Sequence, residues 1–279
     1  MVLESIVNPL KAERTPWNMF FIGAMYSTIA LFLSNWIFSE YASLIMVFLT
    51  TMACIPLLYK TMKFEEEKPE TLAIKKEKGL LKEHSKAISF LMFLFLGITA
   101  GLVLWYVLLP SGFVQNSFRS QTLTIQSINV RIQGDFLNIR TLTNILLNNL
   151  KVLIFCILFS FLYGAGAIFI LTWNASVIAT AIGNFIRSNI VAKAGATANY
   201  FQIVSLAILR YMIHGIPEII AYIVGGLAGG IISVAVIKER FGTKKFEKIV
   251  LDSSDLILIA VLILILAALI EVYITPALF

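Results

Sequence analysis

The 279-residue chain is 59% hydrophobic and only 14% charged, whereas a soluble domain carries about 25% charged residues. That balance excludes a soluble globular protein and points to a polytopic membrane protein. The net charge of +6 comes from 22 basic and 16 acidic residues. These basic residues gather in loops beside apolar stretches, where they set orientation and leave no nucleic-acid footprint.

The first apolar stretch, residues 16–38, follows Lys11 and Arg14 and reads as a retained signal anchor. A second, residues 41–59, completes an N-terminal hairpin over residues 1–62. Residues 63–86 form a charged loop or helix; the wider segment 60–86 carries eight lysines against six glutamates. A third span covers 87–109 and opens the transmembrane core, 87–279. Residues 110–149 alternate polar with apolar positions over 118–132, then return apolar residues at helical spacing over 136–150. They read as an amphipathic extracytoplasmic cap or as an interfacial loop without a ligand of its own.

A fourth span is expected over 150–172, with Gly164-Ala165-Gly166-Ala167 in its middle. Two shorter pieces follow. The first, 174–186 with a tail to 191, has Asn174 as its expected N-cap and Gly183 as a point of close approach. The second, 201–214, is too short to cross alone, because about 20 residues are needed for about 30 Å of hydrocarbon. The fifth and sixth spans cover 217–237 and 256–274. The expected fold is thus an all-α transmembrane bundle of about six full spans plus two short, broken or re-entrant helices. Counting the first short piece as a crossing gives seven. The lysine-rich segment 60–86 and residues 238–248, with five basic residues, are expected on the cytoplasmic side. The N-terminus then lies in the cytoplasm and the C-terminus outside.

The residues that carry chemistry are few. Of the sixteen acidic residues, only Glu218 and Glu271 sit inside apolar segments, where an ionisable group costs roughly 2.5–3.5 kcal/mol on insertion scales. Glu218 belongs to His214-Gly215-Ile216-Pro217-Glu218, which reads as a helix break. Pro217 suits the first turn of a new helix, Glu218 suits the positive end of its dipole, and His214 is free to bond the released carbonyls. In the expected topology Asn148, Asn149, His214, Glu218 and Glu271 share one depth on the outer side, where a hydrogen-bonded polar cluster would satisfy both carboxyls. Arg210 is a candidate charge partner for either.

No paired-histidine zinc motif occurs, since the other histidine, His84, lies in the charged loop. No Gly-x-Ser-x-Gly or Walker pattern occurs either, and neither a metal nor another cofactor is expected. Cys54 and Cys156 fall in apolar spans and read as small buried hydrophobes. Gly225-Gly226 and Gly229-Gly230 stand four apart, a small-residue seam for packing within the fold or between two copies of the chain.

Six of these motifs, in this order, resemble the stage II sporulation protein M family over residues 87–276. They are Asn148-Asn149, Tyr163-Gly164-Ala165-Gly166, Trp173-Asn174-Ala175 with Gly183, His214-Gly215-Ile216-Pro217-Glu218, Gly225-Gly226-Leu227-Ala228-Gly229, and Ile270-Glu271-Val272-Tyr273-Ile274-Thr275-Pro276. Asn174-Ala175 departs from the Asn-Gly of many members, and the style resembles archaeal members. The resemblance implies a non-enzymatic integral membrane protein. The family's namesake in endospore-formers is a membrane scaffold for a peptidoglycan hydrolase and its activating partner. The leading expectation is therefore a scaffold or assembly protein in the lipid bilayer of the cell membrane. It would be homo-oligomeric, a dimer by preference, with envelope or membrane proteins as partners and no nucleic acid. A permease or channel subunit moving a small solute or lipid-like substrate, with a separate ATPase, is the alternative. An intramembrane hydrolase would need a metal or nucleophile beside His214.

Overall fold

A computed structural model describes residues 16–72, 84–132, 139–163, 166–192, 199–238 and 242–279, and every regular element among them is helical. Seven stretches are long and apolar enough to cross a membrane. The order is α1 (Asn18–Ile37), a short 3-10 turn (Ser39–Tyr41), α2 (Ala42–Leu72), α3 (Ser85–Leu108), α4 (Ser111–Ser117), α5 (Arg119–Ile132), α6 (Ile139–Tyr163), α7 (Ala167–Ala192), α8 (Tyr200–Lys238) and α9 (Lys244–Leu269). The last is followed by a π-helical turn (Ile270–Ile274) and α10 (Thr275–Leu278).

The second half corrects the expected spans in three places. No single helix covers 150–172: α6 starts at Ile139 and stops at Tyr163, and α7 begins at Ala167. The small-residue run expected in mid-span therefore falls where one helix gives way to the next, with Ala165 outside the described residues. At Gly166 a Cβ would collide with the Phe159 carbonyl, so only glycine admits the approach. The first N–H of α7 is satisfied there by Ser160, whose hydroxyl accepts from the Ala167 amide at 3.2 Å. Gly164 lies outside the described residues. Secondly, 174–186 is no marginal piece but the middle of the 26-residue α7. Asn174 accordingly does not cap a helix; its amide donates to the Ile170 carbonyl one turn back, at 2.8 Å.

Thirdly, 201–214 and 217–237 are one continuous 39-residue helix, α8, with Pro217 inside it. The expected break at His214–Glu218 does not occur. Proline removes one i→i−4 bond, and transmembrane helices tolerate this because packed neighbours re-satisfy the freed group. At 1.5 Å per residue α8 is about 58 Å long, well beyond the hydrocarbon thickness of about 30 Å. Its first turns pair with the end of α7 in a small apolar cluster of Ile182, Ile186, Ile203 and Ala207.

Side-chain contacts fix how the helices run. Phe20 meets Gly97, and Ala24 and Ser27 meet Gly101, while the Trp105 indole donates to Thr28 Oγ1 at 2.9 Å. Both series ascend together, so α1 and α3 are parallel. In the same way Leu153 meets Gly225 and Ile157 meets Gly229, which makes α6 parallel to α8. Ala167 meets Gly226 and Ile178 meets Gly215, so α7 runs against α8. The segment α4–α5 bonds back onto the α1–α2 corner: Asn35 donates to Ser117 at 2.6 Å, Ser43 and Ser120 share a bond of 2.7 Å, and Gln121 donates to the Ser43 carbonyl and to Ser176. Gln121 and Phe118 are fully buried. This segment is thus packed into the bundle and does more than lie along its surface.

At the centre of the fold is α8, whose residues 221–230 are all buried. The expected glycine seam is filled from within. Gly225 and Gly229 face α6, and Gly226 faces the Ser160–Ala167 corner where its Cβ would come 2.8 Å from Ala167. Gly230 is buried too. An interface between two copies would have to use another surface. Gly183 does serve close approach, since a Cβ there would run into the Tyr106 ring of α3.

Candidate functional site

The polar residues of the core meet where α6, α8 and the end of α9 converge. On α8, one turn separates His214 from Glu218 and the next separates Glu218 from Tyr222, so all three project from one side. The Tyr222 hydroxyl donates to Glu218 Oε1 at 2.6 Å, and Tyr222 itself is fully buried. From the other direction comes Glu271, carried by the π-helical turn. The Glu218 and Glu271 carboxyls lie within electrostatic range of one another and of Tyr222. His214 Nδ1 stands 3.3 Å from Thr275 Oγ1. These two pairs, His214 with Thr275 and Glu218 with Glu271, set α9 antiparallel to α8.

The π-helical turn has a local cause. Pro276 has no N–H to continue the ladder, and the Thr275 N–H bonds back to the Ile270 carbonyl. The Thr275 hydroxyl donates to the same carbonyl at 3.2 Å. The widened turn rotates Glu271 relative to a regular α-helix. Such turns recur at functional positions.

Asn149 arrives from α6. Leu153, one turn on, packs against Gly225, and Cys156, a further turn on, lies within range of Tyr222. That register aims Asn149 at α8 near Glu218. It is buried, and its Nδ2 has no hydrogen-bond partner. Asn148 is different: it is exposed and lies outside the cluster, because consecutive helical residues point about 100° apart. Arg210 is also not a member. Its guanidinium sits over the Phe185 ring at 5.6 Å, a cation–π contact that leaves both carboxyls without it. Arg187 caps a separate corner, donating to the Tyr106 carbonyl at 3.0 Å and Ser111 Oγ at 3.1 Å. Gly215 is buried with room beside it, its nearest neighbour being Ile178 at 3.8 Å.

Of the residues singled out in the sequence, His214 and Glu218 stand on one side of α8 opposite Thr275 and Glu271, Asn149 comes to α8 from α6 about a turn further along, and Asn148 and Arg210 are turned elsewhere. Two members are new. Tyr222 carries a visible signal, the i, i+4 spacing from Glu218. Thr275 carries none, since a threonine before a proline has many uses. Among the described residues no group of three or more His, Cys, Asp or Glu is placed to hold a metal ion.

The Tyr222 contact makes a direct prediction. Tyr222→Phe keeps the ring and removes the donor, leaving a buried carboxyl oxygen unpaired, at a cost of about 1–3 kcal/mol. A chemical-unfolding titration in bicelles should show that loss, and a wild-type midpoint would refute the contact.

The family model described as stage II sporulation protein M (SpoIIM) matches residues 87–276. The matched stretch takes in every member of the cluster and leaves out α1 and α2. No curated protein and no solved structure matches the chain.

Proposed function

Because the chain belongs to the stage II sporulation protein M family, we propose that it is a non-enzymatic integral membrane scaffold, with the His214–Glu218–Glu271 cluster holding α8 to α9. The observation that carries this reading is how the polar atoms are used. His214 is engaged with Thr275 across two helices and Glu218 with Tyr222 along one. Close helix contacts at Gly225, Gly226 and Gly229 then fix α6 and α7 against the same central helix. Such a rigid bundle suits a protein that presents its loops to other membrane or envelope proteins. The lysine-rich segment 60–86 would face the cytoplasm, the C-terminus would lie outside, and self-association would use lipid-facing surface.

A permease subunit is the second reading. It is favoured by one observation, a π-helical turn carrying an intramembrane carboxylate, because irregular helices with charged groups are how transporters build midplane sites. The two readings separate in one experiment. Tagged protein from native membranes, solubilised in mild detergent, is analysed for co-purifying proteins and then reconstituted for solute flux. The scaffold reading expects a defined protein set retained at near-stoichiometric level and no flux above protein-free vesicles. Flux abolished by Glu218→Gln, with no partner retained, would replace it by the permease.

A further inference from the structure

Glu218 and Glu271 pose a problem of charge that the scaffold role does not resolve. Both are embedded in apolar helices, and they act electrostatically on each other. Neither has a lysine or arginine partner among the described residues. The groups around them are Tyr222 and His214 on α8, Asn149 on α6 and Thr275 at the start of α10, with Cys156 of α6 near Tyr222; Arg210 is over Phe185. Two unpaired negative charges at that depth are untenable, because isolated buried charges must be paired or neutralised. Asn149 supplies an independent sign. It is 6% exposed, aimed at the same junction, and one end of its amide finds no partner. Amide orientation is assigned from surroundings, so with the amide turned over that end is an oxygen, the donor a hard cation requires. His214 Nδ1 is taken by Thr275, and Glu218, Glu271 and the turned Asn149 would offer oxygens alone. Such a set suits a proton or an alkali cation better than zinc.

We propose that Glu218, Glu271 and Asn149 form an intramembrane site for one monovalent cation, a proton or a sodium ion, held between α6, α8 and α9. The cation neutralises one carboxyl, and the Tyr222 hydroxyl bond orients Glu218 towards it. The site stands or falls independently of the scaffold reading, which a failure here would leave untouched.

The test uses the full chain in lipid nanodiscs. Dicyclohexylcarbodiimide, which reacts with protonated carboxyl groups inside membranes, is added across a pH series with sodium or choline chloride, and adducts are located by peptide mass spectrometry. The melting midpoint is followed in the same buffers. A proton site gives an adduct at Glu218 or Glu271 that falls about tenfold for each pH unit once the pair titrates, indifferent to sodium. A sodium site gives an adduct suppressed by sodium but not choline, or a melting midpoint raised by sodium alone. Glu271→Gln and Glu218→Gln keep an oxygen in place and remove one charge; either should abolish a sodium response of the partner carboxyl and move its pH response to lower pH, since a carboxyl relieved of its neighbour's charge ionises more readily. Absence of any adduct at either glutamate, together with a melting midpoint indifferent to both sodium and pH, overturns the proposal. These readouts come from the wild-type chain, so they stand even if a variant does not fold.

Discussion

Gly229→Leu is expected to be strongly destabilising. A Cβ at Gly229 would run into the Ile157 carbonyl and come 3.1 Å from the Ile157 carbonyl carbon and Cα. Those are backbone atoms of α6, so no rotamer change relieves the clash and the helix axis itself must move. Overpacking typically costs 1–3 kcal/mol, and with a whole side chain driven against backbone the loss should reach about 3 kcal/mol or more. Because α8 is also the helix that presents His214, Glu218 and Tyr222, the displacement should disturb the cluster as well. Gly215→Ala is the control on the same helix. Its added methyl meets only Ile178, at 3.8 Å, and alanine is favoured over glycine in a helix by up to about 1 kcal/mol. It should therefore be neutral or stabilising. Unfolding midpoints of the two variants in bicelles decide the matter, and equal losses would contradict the packing described here.

The second large effect lies at the seam between α1, which the family model leaves out, and α3, which it takes in. Gly97→Leu should detach α1 from α3, because a Cβ there would collide with the Phe20 carbonyl and approach Phe20 Cα to 2.8 Å. Gly23 and Gly101 make the reciprocal contacts, with Leu94 and Ile98 on one side and Ala24 and Ser27 on the other. The expected outcome is a loss of about 3 kcal/mol, read as new proteolytic access to the N-terminal helices while the segment from α6 onward stays protected. Gly112→Ala, which meets nothing within 4 Å, should leave the digestion pattern unchanged. An intact pattern in Gly97→Leu would mean that α1 does not seat on α3 as described.

Much of this molecule was legible in the sequence, and the misreadings have physical causes. The all-helical class and the apolar stretches before residue 109 followed from composition and length. The turn at Gly166 was missed because a reversal built from glycine and alanine carries no polar signal, and hydropathy runs through it unbroken. Pro217 was read as a break by a rule learned from soluble helices, where water competes for the freed carbonyl. Inside an apolar membrane helix no water competes for it. The same error divided a 39-residue helix into a fragment and a span. Glu218 and Glu271 stood out because glutamates inside apolar segments are rare. Their partners were harder to see. Asn148 and Asn149 looked equivalent until helical rotation sent one outward, and Arg210 looked like a counter-ion until the structure placed it against Phe185. The glycines that interlock α1 and α3 gave no warning, since Gly23, Gly97 and Gly101 lie in different helices and no spacing links them.

The central claim is that the polar cluster clamps the end of α9 to α8, and a double-mutant cycle on its one cross-helix hydrogen bond tests that most directly. His214→Ala, Thr275→Val and the pair are compared for unfolding free energy in bicelles, with cellular function scored on the same four chains. Interhelical hydrogen bonds in membranes average about 0.6 and reach about 1.7 kcal/mol. The account predicts a coupling within that range, with function declining in step with stability. Additive effects in a stably folded His214→Ala that has nonetheless lost all function would contradict it, and would make His214 a working residue instead of a clamp.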